Sequence, residues 1–432
     1  MLNAFFVALV LISVLVAAFT GHMEAVSSSA LEAAKKAVEL AIGLVGALSL
    51  FMGLMKVAQD GGLLRIIARA CAPVMRRLFP EVPENHPAMS AMILNIASNM
   101  LGLGNAATPF GIRAMQELDR LNPVKGTASN AMVLFLAINT AGLAILPTTV
   151  IALRASAGSK DPAGILVATW IASSCATIVA ILAATTLARL PRFRATAAQA
   201  QPAAPVTSDP APSIPDEPER TRPRRSGWLA AAYVAALLAA LALHFARSSG
   251  SVPWDDLARG VLSYWMVPLL IAGLVLFGWS RGVRVYESVV DGAKEGFQVA
   301  LRILPFLVAI LVAVAMFRAS GCLDLFVAVV SPLTAPWGLP AEAVPMAILR
   351  PLSGSGALGV MSEILTTHGP ESYLGYLVST MQGSTDTTFY VLAVYFGAVG
   401  IKKTRHAVPA GLLADAAGLT ASVVVCRLLF RG

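Results

Sequence analysis

The chain has 432 residues, of which 57% are hydrophobic and only 13% charged, and its mean hydropathy is +0.73. So few charges cannot solvate the surface of a soluble protein, whereas about 20 consecutive apolar residues cross a hydrocarbon core roughly 30 Å thick. The net charge of +8 then reflects Lys and Arg on loops, because no basic run is interleaved with aromatics as a nucleic-acid site requires. The composition predicts an all-α polytopic membrane protein.

The opening stretch MLNAFFVALVLISVLVAAF has no Lys or Arg ahead of its apolar run, so it reads as a first span at 2–20 rather than a cleaved signal. Further spans are expected at 38–58, 128–153, 163–188, 227–246, 260–280, 296–317, 373–400 and 407–430, about nine in all. Residues 191–226 are rich in Pro, Ala and charge, cannot bury a core, and read as a disordered linker. The linker and an extra span at 227–246 separate a membrane repeat at 1–190 from a second at 247–432. The four cysteines (Cys71, Cys175, Cys322, Cys426) lie far apart in apolar surroundings and read as buried small hydrophobes. The five histidines are scattered, so no metal site and no cofactor are expected.

The two halves resemble each other. LEAAKKAVELAIGLVGAL from Leu31 lies on VDGAKEGFQVALRILPFL from Val290 without a gap, at an offset of 259. The same offset lays Gly62 on Gly321 and Pro73 on Pro332. MILNIASN (92–99) faces AILRPLSG (347–354), and PAGILVA (162–168) pairs with PAGLLAD (409–415). Shared order of this kind marks an internal duplication. With the N-terminus inside and both Gly-rich segments re-entrant, 21 of the 32 Lys and Arg fall inside and nine outside, with Arg302 and Arg350 within the membrane. The opposite orientation reverses that bias, so the copies are expected to start on opposite sides as inverted repeats of about four spans each.

Re-entrant helical hairpins are expected at 88–121 and 341–367. In hydrocarbon, non-helical backbone survives only within protein or beside a watery cavity. NIASNMLGLGNAATPFG (95–111) places Gly102, Gly104 and Asn105 at a tip, with Pro109 near the start of the returning helix. Its amides (Asn95, Asn99, Asn105) and hydroxyls (Ser98, Thr108) offer uncharged, directional hydrogen bonds. Small polar residues also serve simply to pack membrane helices closely; repetition of the cluster in the second copy favours a site.

That second copy is more charged. RPLSGSGALGVMSE (350–363) supplies Arg350, Ser353 and Ser355, and STMQGSTDTTFYV (379–391) supplies Gln382, Ser384, Thr385, Asp386, Thr387 and Thr388. A charge inside an apolar stretch costs roughly 3 kcal/mol or more unless paired or hydrated. Arg350 and Asp386 therefore either serve a site or pair to pin the hairpin to a broken helix. Asp386 is expected at the centre, with Arg350 and Asn99 close by. In copy one Pro147 stands about where Asp386 does, so the site is asymmetric. Asp415 is expected to hold helices together through a buried hydrogen bond. No Walker loop, His/Glu metal motif or nucleophile elbow is present, so no enzyme is expected.

With NIASNMLGLGNAATPFGIRAMQEL the first half resembles spore maturation protein A. The second half, with RPLSGSGALGVMSEIL and QGSTDTTFYVLAVYFGAVGIKKTRHA, resembles spore maturation protein B. The chain thus looks like a fusion of the two. The resemblance implies a nucleoside recognition or gate domain, shared with concentrative nucleoside transporters and the membrane part of ferrous-iron transport protein B. No GTP-binding domain of the iron-transporter kind accompanies it. The expectation is a multi-pass permease of the bacterial inner membrane, related to secondary transporters, with the N-terminus and linker cytoplasmic and the C-terminus outside. Its partners are the lipid bilayer and a small polar solute, nucleoside-like or another metabolite, held between hairpins and broken helices. A coupling ion and a homo-oligomer are compatible with this reading; nucleic acid is not. The alternative is a non-transporting protein of spore or envelope maturation that acts by assembly with partners.

Overall fold

The computed structural model describes residues 2–194, 232–237, 239–240, 243 and 254–430, without the side chains at 2–5, 104–106, 194, 254–264 and 266. The predicted linker from 195 onward, and most of the predicted span at 227–246, lie outside the described residues. Among the described residues there is no strand, only an isolated bridge between Thr127 and Lys403.

After α1 (Leu2–Thr20) the first copy runs α2 (Met23–Asp60), α3 (Leu63–Leu78), α4 (Pro87–Met100), α5 (Gly104–Leu121), α6 (Asn130–Ala141), α7 (Thr148–Ser156) and α8 (Leu166–Leu187). A short turn, α9 (Pro191–Arg194), precedes α10 (Trp254–Ser280). The second copy is α11 (Val285–Ala319), α12 (Cys322–Thr334), α13 (Val344–Leu352), α14 (Gly354–His368), α15 (Tyr373–Ser384), α16 (Thr388–Gly397) and α17 (Ala407–Phe430). Seven helices thus follow the same order twice. Gly62 and Gly321 both precede the second helix of their copy at left-handed φ values of +81° and +80°. That conformation turns the chain sharply off the long helix and is open to glycine at little steric cost.

Among the described residues, α2, α8, α11 and α17 are the helices long and apolar enough to cross a bilayer unaided. At 38 residues, α2 is about 57 Å long from a rise of 1.5 Å per residue, nearly twice the hydrocarbon thickness. The expected span at 128–153 is two helices, α6 and α7, and that at 373–400 is α15 and α16. Each is interrupted where Gly142, Pro147 or the run Thr385–Thr387 stops the backbone ladder. The segments expected as hairpins are the helix pairs α4–α5 and α13–α14.

Corresponding helices pack against each other with their contacts running in opposite directions. Along α2 and α11, Ser288 donates to Asp60 at 2.8 Å, and Ser49 donates to the Ala293 carbonyl at 3.1 Å. A Cβ at Gly292 would lie 2.5 Å from the Met52 carbonyl, and one at Gly296 2.7 Å from Leu48. Glycine here lets two backbones touch, the close approach that drives helix association in lipid, where burial from water cannot. Along α8 and α17, Ala176 faces Gly418, while Phe193 just beyond α8 meets Arg405 and His406 at the start of α17.

Two clusters tie loops of the two copies together. At one end the Gly126 carbonyl accepts from the Lys402 and Lys403 amides at 2.9 and 3.0 Å, and Arg405 donates to the Ala128 and Phe193 carbonyls. At the other, fully buried Arg154 donates to the carbonyls of Pro370 and Asp161 at 2.8 and 3.2 Å and lies 4.4 Å over the Tyr376 ring. Ser159 and Glu371 join it through a 2.6 Å hydrogen bond.

Candidate functional site

The two broken helices cross at their breaks. The Asp386 amide donates to the Thr140 carbonyl at 2.7 Å, and a Cβ at Gly142 would lie 2.8 Å from the Asp386 nitrogen. Gly142 has φ +57° and caps the C-terminus of α6. Each hairpin tip reaches the break of its own copy. The Ile145 amide donates to the Met100 carbonyl at 2.6 Å, and a Cβ at Gly102 would meet the Leu146 carbonyl at 2.5 Å. In copy two, Gly354 abuts the Thr387 hydroxyl, where a Cβ would lie 2.9 Å from Oγ1. Tip, break, break and tip therefore form one chain of contacts. The N-termini of α5, α7, α14 and α16 all start in it, bringing backbone N–H groups and the positive ends of helix dipoles together.

Arg350 anchors the second tip. Only 4% exposed, it donates to the Thr387 hydroxyl at 3.1 Å and to the Thr385 carbonyl. The charges acting on it are Asp386 and Asp415. Asp415, 2% exposed, accepts from the Thr388 hydroxyl at 2.5 Å, the helix-to-helix hydrogen bond that the sequence predicts for it. Gly411 and Gly418 of α17 make this possible, because a Cβ at either would lie within 2.7 Å of the methyl of Thr388 or Thr385.

The structure places Arg350, not Asp386, at the buried centre. Asp386 is exposed, its carboxylate accepts from the Thr387 amide at 2.7 Å, and no salt bridge joins it to Arg350. The physical reason is the break itself. Its backbone lies across Gly142, so the Thr385 carbonyl meets the guanidinium and the Asp386 side chain is turned outward. Thr385 and Thr387 are buried; Ser384 is buried and donates to the Met381 carbonyl at 3.0 Å. Gln382 is buried, with its Oε1 unpartnered among the described residues. Ser353 caps α14, accepting from the Gly356 amide at 3.1 Å, and half-buried Ser355 follows it.

In copy one, buried Asn95 donates to the Ala107 carbonyl at 2.8 Å and so ties the two arms of the hairpin. Asn99 donates to Asn139 Oδ1 at 2.8 Å, joining the hairpin to α6. Ser98 is fully buried with its hydroxyl unpartnered among the described residues. Thr108 is half-buried on α5, and Asn105 lies in its first turn with its side chain outside the described residues.

Sequence reasoning passed over Tyr395. Its hydroxyl accepts from Asn95 at 3.0 Å and donates to Asn139 at 3.4 Å, and its ring stacks on Phe135 at 6.0 Å. Gly111 leaves room for that ring, since a Cβ there would lie 2.3 Å from it. The hairpin of copy one is therefore tied to a broken helix of each copy. A lone tyrosine in an apolar run gives no signal of this, although Gly111 marks where a bulky partner lands.

A duplicated, all-helical membrane protein with hairpin tips set against two crossed, broken helices is the class that the fold and site define. The family model described as Gate: Nucleoside recognition matches residues 41–157 and 300–402, one stretch in each half, and the chain belongs to that family. Spore maturation protein B of Bacillus subtilis (strain 168) is 51% identical over 169 residues, covering 39% of this chain and 95% of that protein. Spore maturation protein A of the same organism is 40% identical over 182 residues, covering 42% of this chain and 93% of its own length. The two cover different halves, as a fusion requires. Inner membrane protein YjiG of Escherichia coli (strain K12) is 34% identical over 83 residues, covering 19% of this chain and 54% of that protein. No solved structure matches the chain.

Proposed function

We propose that this protein is an inner-membrane permease whose two repeats cross the bilayer in opposite senses and bind a small polar solute where the hairpin tips meet the crossed breaks. The observation that carries the reading is the chain of contacts from tip to break to break to tip, with Arg350 at its buried centre. Irregular backbone at membrane depth is expensive and is kept where it serves a polar path. The four helix N-termini and Arg350 favour anionic or strongly hydrogen-bonding groups of a solute. Ser98, Thr140, Thr169 and Gln382 add buried polar atoms that have no partner among the described residues. A nucleoside, the class named in the family description, offers such groups on both base and ribose. Opposed insertion is supported by the antiparallel packing of corresponding helices. It is also supported by two loop clusters: 126–128, 193 and 402–405 belong to the side that the Lys and Arg distribution assigns inside, and 154–161 and 370–376 to the side assigned outside.

The observation favouring the second reading, a spore- or envelope-maturation protein without transport, is the close packing of the crossing. Ser98, Thr140 and Ser384 are fully buried, and two of the relatives are named for spore maturation. Proteoliposome counterflow with a panel of labelled nucleosides and other small polar metabolites separates the two. Flux that disappears in Arg350→Gln supports the permease. A folded, correctly inserted protein that moves nothing in the panel and exchanges no label across the membrane sinks it.

A further inference from the structure

The second helix of each copy bares an apolar stripe at matching positions. In α3 the exposed positions are Ile66, Arg69, Ala70, Pro73, Val74, Arg76 and Arg77. In α12, 259 residues on, Leu325, Ala328, Val329, Pro332 and Leu333 are exposed at the matching positions together with Asp324, and Ala335 and Pro336 are exposed just beyond its end. Ile66, Ala70 and Val74 recur every fourth residue, as do Leu325, Val329 and Leu333, so each helix bares one apolar stripe. The exposures are large: 57% at Val74, and 64%, 63% and 71% along α12. The opposite face of α3 is packed: Leu64 and Ala68 share a core with Leu94, Ala97 and Leu101 of the first hairpin, and Met75 shares one with Met89 and Met92. A helix that buries one face in protein and bares another apolar face fits at the boundary of the bilayer, lying along it.

What separates the copies is charge. Arg69 stands where α12 has Ala328, and Arg76 and Arg77 stand where Ala335 and Pro336 follow its end. Arg76 shares its charge with Glu84 at 3.2 Å in an exposed pair, whereas Arg69 and Arg77 form no ion pair among the described residues. We infer that α3 is an interfacial helix that seats anionic phospholipid headgroups on Arg69 and Arg77, with Arg76 beside them, while its apolar stripe enters the acyl region. The occupant is argued from charge complementarity together with the continuous apolar stripe: a soluble anion matches the arginines but leaves the stripe bare. Because α3 packs on the outer arm of the first hairpin, a bound headgroup braces the element that reaches the crossing.

Native mass spectrometry of the full-length protein, released from micelles supplemented with phosphatidylglycerol or phosphatidylcholine, tests this without any transport assay. Failure here therefore leaves the permease reading standing, and absence of transport leaves this one standing. Each cationic residue near an anionic surface contributes about fivefold in affinity, so Arg69→Gln with Arg77→Gln should weaken phosphatidylglycerol retention roughly 25-fold. Lys35→Gln with Lys36→Gln should leave it unchanged. Arg69→Lys with Arg77→Lys should retain most of it, and phosphatidylcholine should not distinguish the variants. Equal phosphatidylglycerol retention by wild type and the Gln variant overturns the proposal. So does competition by millimolar inorganic phosphate, which marks a simple anion site, or a dimer lost in the Gln variant, which marks the stripe as a contact between copies. If neither arginine double variant folds, the arginines are structural and the proposal falls as well.

Discussion

Replacing Gly142 by Ala tests the crossing directly. Two penalties act there. An L-residue held at φ +57° costs about 1–2 kcal/mol. The new methyl would also lie 2.8 Å from the Asp386 nitrogen and 2.9 Å from the Thr385 carbonyl carbon. These are backbone atoms that cannot rotate away, so the breaks must separate, at about 1–3 kcal/mol for forced overpacking. Separation also stretches the 2.7 Å hydrogen bond from Asp386 to Thr140, worth about 1 kcal/mol. The combined loss is about 3–6 kcal/mol. Gly400→Ala supplies the control, because Gly400 has φ +66° but open space where its Cβ would go, leaving the strain alone at about 1–2 kcal/mol. Thermal unfolding in detergent, followed with a thiol-reactive dye, should lower the apparent Tm of Gly142→Ala by about 6–12 °C and that of Gly400→Ala by about 2–4 °C, at about 2 °C per kcal/mol for a large chain. If the two variants melt together, the breaks do not touch and the central contact of the proposed site is wrong.

Arg350→Gln should lower the apparent Tm through loss of two buried hydrogen bonds from a charged donor, at about 1.5–3 kcal/mol each. Exposed Asp386→Asn should change stability by less than about 0.5 kcal/mol while reducing flux. Equal destabilisation by both, with recovery in the double variant, would instead make them an ion pair. Thr388→Val should cost about 1–3 kcal/mol by leaving the Asp415 carboxylate without its hydroxyl donor, and Thr388→Ser should restore most of it; an unchanged melting temperature for Thr388→Val refutes that bond. In a variant whose four cysteines are replaced by alanine, a single cysteine at Lys160 should react with a membrane-impermeant maleimide on intact cells. One at Ser208 in the linker should not, and the reverse labelling overturns the orientation.

The sequence by itself determined the all-helical membrane character, the family and the duplication, because these follow from local quantities. Apolar run length decides what can sit in lipid, and Gly62 and Gly321 declare the same sharp turn wherever the chain goes afterwards. The interruptions between α4 and α5 and between α13 and α14 were legible for the same reason: Gly102 and Ser353 act on the backbone next to them. The charged centre was not. Asp386 and Arg350 look equivalent in sequence, each an isolated charge in an apolar run, and nothing local says which one is buried. Only the crossing decides it: packing of Thr140 and Gly142 against residues 385–387 orients one peptide carbonyl toward Arg350 and turns the Asp386 carboxylate outward. Tyr395, Asn139 and Arg154 were invisible for a related reason, since their partners lie 256, 300 or 216 positions away along the chain and a hydrogen bond at that separation leaves no periodicity to read. The tertiary structure alone fixed which polar groups share the centre, because that depends on where two broken helices meet, not on what either one contains.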